Sequence, residues 1–186
     1  MCHTLLQDPK LYVLLSLIDD ERAAESRVAG CGCGGVLHSA RYPRKPRGAP
    51  PGLRRLIESR HSFCCATCRR RTTPESVRYL GRRVYLAVVV VLACAMRAGV
   101  TSRRAAQLTA VLNVPLRTLQ RWRRWWLEEF VQTPFWRAAS GVFMPPVAAD
   151  LLPASLLSRF AGDELVTPVI QCLRFLSPLS TLSKGR

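Results

Sequence analysis

Five of the eight cysteines in this 186-residue chain fall within 38 consecutive positions. Cys31 and Cys33 lie in GCGCGG, and Cys64, Cys65 and Cys68 lie in FCCATCRRR. The segment around them is rich in Gly, Pro and Arg and has little apolar material with which to build a core. Two cysteine knuckles separated by a loop of about thirty residues suit four thiolates closing a tetrahedron around Zn²⁺. Cys65-x-x-Cys68 has the standard gap, whereas Cys31-x-Cys33 is one residue short, so His38, His61 and Cys64 are alternative ligands. Gly34 and Gly35 let the backbone turn tightly beneath a metal. The spacing therefore predicts a structural Zn²⁺ held by Cys31, Cys33, Cys65 and Cys68.

Disulfide pairing and plain buried thiols are the competing readings. A reducing compartment disfavours the first, and the lack of a local core disfavours the second. Catalytic zinc wants an open coordination position and a nearby general base, and Glu58 is the only acid within reach. Cys2, Cys94 and Cys172 read as ordinary residues.

Charge is the second constraint. The chain carries 28 Lys+Arg against 12 Asp+Glu, a formal +16. Residues 41–137 hold 21 of the cations and only Glu58, Glu75, Glu128 and Glu129, while everything outside them is near neutral. An Arg-rich coding bias alone would spread the charge evenly. A polyanionic partner is implied, nucleic acid ahead of anionic membrane. The scarcity of carboxylates weighs against an enzyme built on clustered acids, and no catalytic residue is assigned. Tyr42–Gly52 (YPRKPRGAPPG) reads as an extended basic loop, since its prolines exclude helix and sheet interior. Arg44, Lys45 and Arg47 are its candidate phosphate contacts.

Leu11–Ile18 is apolar but has no basic leader or small-residue cleavage site, so it makes a poor signal peptide. Val84–Met96 is 13 residues long, short of the roughly 20 needed to span a bilayer; it reads as a buried helix. The expectation is a cytoplasmic, nucleoid-associated protein with no membrane contact and no evident small-molecule substrate.

The predicted class is mostly α with a small zinc-ribbon β module, a helix-turn-helix core and short C-terminal helices. Residues 1–29 form a short helical segment with an acidic end, and 30–80 the zinc-ribbon-like module with its basic Pro-rich loop. Residues 81–137 form the helix-turn-helix domain, and 138–186 a Pro-interrupted helical tail packed on the core.

Within that third segment, Ala105–Arg124 reads AAQLTAVLNVPLRTLQRWRR. Ser102 suits an N-cap, Asn113 the left-handed residue of a tight turn, and Pro115 the first position of the following helix. Leu108, Leu112, Val114, Leu119 and Trp122 occupy the packing positions of a helix-turn-helix. At about 100° per residue, Leu119, Trp126 and Phe130 share one side of the second helix, with Arg117, Arg121 and Arg124 opposite and Gln120 beside them. Such a face offers guanidinium forks to phosphates and guanine edges. A solvated amphipathic hairpin is the plainer reading of the same pattern.

Taken together, GCGCGG, FCCATCRRRTTPESVRYLGRRVY and Ala105–Arg124 resemble the DNA-binding region of bacterial insertion-sequence transposases and small orphan proteins related to them. The resemblance covers roughly residues 30–130 and implies recognition of element ends in duplex DNA, with self-association or a transposase as further partners. The ribonuclease-H-like domain that does the chemistry in such transposases needs three metal-binding acids. After residue 130 only Asp150, Asp163 and Glu164 remain. The leading expectation is a non-catalytic DNA-binding protein. The targeting half of a transposase or diverged nuclease, and an RNA- or ribosome-associated zinc-ribbon protein, are the alternatives.

Overall fold

Asp8 and Pro9 start the longest helix. The Asp8 carboxylate accepts the Lys10 N–H at 2.9 Å, Pro9 occupies the first turn, and Gly30 at φ +72° ends the helix. A capping carboxylate, an N-terminal proline and a left-handed glycine are the usual helix boundaries. The computed structural model describes residues 2–44, 52–80, 85–95, 106, 109–110 and 112–181. Over these residues the chain is mostly helical with a small three-stranded antiparallel sheet, the class the sequence predicts.

The helices are α1 (Cys2–Leu5), α2 (Pro9–Ala29), α3 (Arg54–Ile57), α4 (Ala87–Ala95), α5 (Leu116–Arg124), α6 (Pro134–Ala139), α7 (Ala154–Leu157) and α8 (Val166–Leu176). The strands are β1 (Leu37–Ser39), β2 (Tyr42–Pro43), β3 (Ser59–Arg60), β4 (Phe63–Cys65) and β5 (Arg71–Thr72). One sheet has the order β1-β4-β5, and β2 pairs with β3 in a second.

At 21 residues α2 fills most of the 1–29 segment expected to be helical. Its buried stripe of Leu11, Tyr12, Leu15, Ile18 and Ala23 includes Asp19, which is only 2% exposed. The acidic run is thus not simply a helix end: Asp19 lies inside. Its carboxylate meets Arg78 Nε at 2.6 Å and accepts the Ser76 hydroxyl at 2.5 Å and the Val77 N–H at 2.8 Å. Arg78 also reaches the Leu56 carbonyl, tying α3 to the same point. Tyr79 next to it donates to the Ile57 carbonyl, and the guanidinium groups of Arg78 and Arg60 lie 5.4 and 5.8 Å from its ring centre. Burial raises the Tyr79 phenol above its ordinary pKa, so it stays a donor.

Arg60 extends the network to the C-terminal tail. Its Nη2 donates to Ser180 O at 2.9 Å and to Pro74 O at 3.3 Å, while the Ser76 N–H donates to Ser180 Oγ at 2.9 Å. Arg22, Glu75 and Ser177 make a shallower copy of the same link, with Arg22 Nη1 and Ser177 Oγ each 2.8 Å from Glu75 Oε2.

The central helix is α4, and every residue from Ala87 to Cys94 is buried. It lies within the Val84–Met96 run read as a buried helix. No helix of the described residues is long and apolar enough to cross a membrane. Around α4 pack α5, α7 and α8, the last through Val169, Cys172, Leu173 and Leu176 on one face. Buried side chains from Leu5 to Leu179 form one cluster, with a second small one of Ala23, Leu37, Phe63 and Cys65 beneath the sheet.

Ala106, Thr109, Ala110 and Leu112 are helical and lead into Asn113, whose φ of 47° makes the left-handed turn. Leu112 and Val114 are buried; Ser102 and Leu108 lie outside the described residues. Pro115 is extended at ψ 145° and serves as the N-cap of α5, one position earlier than its expected first helical place. Past Arg124 the helix widens to a π-turn over Trp125–Glu129, where the Phe130 N–H donates to the Trp125 carbonyl. Residues five apart in an α-helix project about 140° apart; the wider turn brings Trp125 to 5.4 Å from Phe130. Trp126 and Phe130 are fully buried with ring centres 4.7 Å apart, and Trp136 is 4.9 Å from Phe130.

Replacing Asp19 by Ala leaves Arg78 buried without its carboxylate and frees two further donors. Loss of one partner from a buried pair costs about 3–5 kcal/mol, so D19A should lower the denaturant midpoint sharply. The neighbouring Asp20→Ala, on an exposed carboxylate, should lose far less.

Candidate metal centre and cationic helix face

Each cysteine knuckle is built by local backbone bonds. In the first, the chain leaves α2 at Gly30, and the Gly34 N–H returns to the Cys31 carbonyl at 2.8 Å with Gly34 at φ +77°. In the second, β4 turns back on itself. The Cys65 N–H donates to Arg70 O at 3.0 Å and the Arg69 N–H to Cys65 O at 3.2 Å, with Arg69 itself left-handed at φ 60°. The two knuckles are joined by the β1–β4 pairing, in which Leu37 faces Cys65, and by the Ala66 N–H donating to Val36 O at 2.9 Å.

This brings Cys31, Cys33, Cys65 and Cys68 together, all four sulfurs within 4.8 Å of one another. Three pairs, Cys31–Cys33, Cys31–Cys68 and Cys33–Cys65, are 3.5 Å apart. Four thiolates on a tetrahedral zinc would be separated by about 3.8 Å, given the usual metal–sulfur distance. The donor set is compatible with a metal site, and the one-residue gap of Cys31-x-Cys33 is no obstacle to it. Space is set by Gly35: a Cβ there would lie 2.6 Å from Cys65 Sγ and 2.6 Å from Thr67 Oγ1.

Electrostatics point the same way. The Cys68 N–H, 3.5 Å from Cys65 Sγ, holds the Cys65 thiol down at about 6. The Arg70 N–H favours a Cys68 thiolate, but the sulfurs of Cys33 and Cys31 outweigh it and push Cys68 up to about 12. Four sulfurs this close cannot all be negative without a cation among them.

The three alternative ligands are engaged elsewhere or point away. Cys64 alternates to the other side of β4, its Sγ 3.7 Å from the Arg69 carbonyl. His61 Nε2 lies 2.7 Å from Asp20 Oδ1. His38 is exposed on β1 in register with Cys64. Among the described residues no other group of three or more His, Cys, Asp and Glu side chains converges at metal-binding distance. Cys172 is buried, which pushes its thiol up to about 12.

The second candidate is α5. Thr118, Leu119 and Trp122 are buried, while Arg117, Gln120, Arg121 and Arg124 are exposed. Arg123 is exposed as well; the run RWRR carried that signal, but the 100° reckoning centred on its neighbours. Gln120, Arg123, Arg124 and Leu127 line a shallow depression. Arg121 is different, because its Nη2 donates to the Tyr85 hydroxyl at 3.0 Å with the guanidinium 5.8 Å from that ring centre. Tyr85 in turn meets Trp122 edge-on at 4.8 Å. The described ion pairs lie elsewhere, at Arg22–Glu75, His61–Asp20 and Arg78–Asp19.

The predicted phosphate loop is only partly described. Arg44 is half-buried and its N–H donates to the Glu58 carbonyl; Lys45 and Arg47 lie outside the described residues.

Gly35→Ala should weaken metal loading, because the added methyl cannot coexist with Cys65 Sγ in its present place. Cys64→Ser should load metal like the parent. Titration with a colorimetric chelator reads both, and equal loading of G35A and the parent would show that the knuckles need not close this tightly.

Comparison with family models, curated proteins and solved structures gave no match to this chain.

Proposed function

We propose that the protein binds duplex DNA, with α5 as the element that reads it and a structural Zn²⁺ at the four-cysteine centre. The observation that carries this reading is the division of α5. One side is sealed against the core by Thr118, Leu119 and Trp122, continued past the helix by Trp126 and Phe130, and the other exposes Arg117, Gln120, Arg123 and Arg124 with no acid on the helix itself. The first acids of that stretch, Glu128 and Glu129, come in the π-turn beyond it. The tight turn at Asn113 supports the reading, since it sets α5 as the second helix of a pair.

Residues at the start of such a helix reach base edges, so Arg117 and Gln120 take the specificity role. Arg124, later on the helix, serves phosphates. Arg121 stays on the interface, but its bond to Tyr85 makes it the anchor between the reading helix and the residues that lead into α4. An all-sulfur tetrahedral set suits Zn²⁺, whose binding energy would fold a sheet too small to hold itself. No step of chemistry is assigned to the metal. The sequence resemblance makes insertion-sequence ends the first duplexes to try.

Two measurements test this. Elemental analysis of protein purified without chelator should find about one zinc per chain, and removing it should unfold the sheet. Selection from random duplexes should then yield a preferred site. Against that site, R117A and Q120A should each lose on the order of 1–3 kcal/mol of discrimination at one base position. Trp122→Ala should fail by unfolding, as truncating a buried Trp costs about 3–5 kcal/mol. If folded R117A and Q120A both keep the parental ratio of specific to scrambled affinity, α5 is a solvated face.

A further inference from the structure

We propose that Arg69, Arg70 and Arg71, on the second cysteine knuckle, grip the phosphate backbone of duplex DNA. This rests on the DNA reading above and adds to it a second, sequence-independent contact surface on the sheet. All three arginines are exposed, and none belongs to the ion pairs of the described residues. The surrounding sequence supplies nothing to neutralise them: from residue 26 to residue 74 the only acid is Glu58. Across the sheet Arg71 is in register with Cys64, and Cys64 with the exposed His38, so that row carries no carboxylate either.

The knuckle fixes the backbone from which these charges project before any partner arrives. Backbone bonds of Cys65 N–H to Arg70 O and Arg69 N–H to Cys65 O fix the turn, and the left-handed Arg69 reverses the chain within it. A rigid turn needs no backbone ordering on binding, which leaves only the side-chain cost. Arg44 of the Pro-rich loop, by contrast, is half-buried. A zinc with four thiolates would carry two negative charges, which three guanidinium groups more than offset. A net cation therefore remains for an outside anion.

The experiment uses the full chain with its metal bound. Affinity for a random-sequence duplex is measured against salt for the parent and for R69Q/R70Q/R71Q. Each lost phosphate contact removes about 0.9 from the slope of log K against log salt, so the slope should flatten by about 2–3. The ratio of specific to scrambled affinity and the metal content should not change. R69K/R70K/R71K should keep the parental slope, because a phosphate accepts any cation.

An unchanged slope in the glutamine variant would overturn the clamp. So would loss of bound metal in that variant, which would show that the arginines serve the thiolates. Loss of binding to a structured RNA with duplex binding intact would assign the surface to RNA instead. A parent that binds no duplex at any salt would overturn the DNA reading together with this one, a result distinct from parental binding that the substitutions leave untouched.

Discussion

One buried carboxylate organises the chain. Asp19 sits in the apolar stripe of α2, where an unpaired charge would cost several kcal/mol, and it is tolerated because three donors converge on it from the Ser76–Arg78 strap. That strap forms no regular strand of its own: it reaches helix α4 through the Ala87 N–H donating to Arg78 O at 2.8 Å, and α3 through Arg78 and Tyr79. The long helix, the strap and the central helix are thus held in one register by polar contacts. The apolar cluster then fills the space around them.

The two surface features follow from that arrangement in different ways. The cysteine centre sits where α2 ends and the sheet begins, so the position of the first knuckle is inherited from the helix. The cationic face of α5 depends on the other side of α4, through Trp122 and the Tyr85–Arg121 contact. Charge of one sign collects on both, while Asp19, Asp20 and Glu75 are engaged at joints between elements. Asp19 and Glu75 each hold an arginine that belongs to the scaffold, and Asp20 meets the His61 ring at 2.7 Å.

What could be read from the sequence was what local spacing encodes. The four cysteines announce themselves by chelate spacing, and Leu119, Trp122, Trp126 and Phe130 by helical period. Asn113 declares the turn because few residues accept a left-handed backbone. Asp19 could not be read, since beside Asp20 and Glu21 it looks like a solvated helix end, and its partner Arg78 is 59 positions away. The choice among Cys64, Cys65 and the histidines needed strand alternation, which a three-residue strand in a Gly-rich stretch does not reveal. The π-turn depends on a cluster of rings rather than on any one residue, and Arg121 looked free because Tyr85 lies 36 positions back, just before α4.

The contacts of Ser180 have a consequence for how the molecule comes into being. Arg60 and Ser76 find their acceptor 120 and 104 residues downstream, so a chain growing from its N-terminus has the buried arginine in place long before its lid. Until residue 180 arrives, the half-made core must either stay open to water or leave a guanidinium edge unsatisfied. Closing loops of that length is slow compared with helix formation. The polar network around Arg60 and Ser76 is therefore completed late, when the turn that carries Ser180 docks against it.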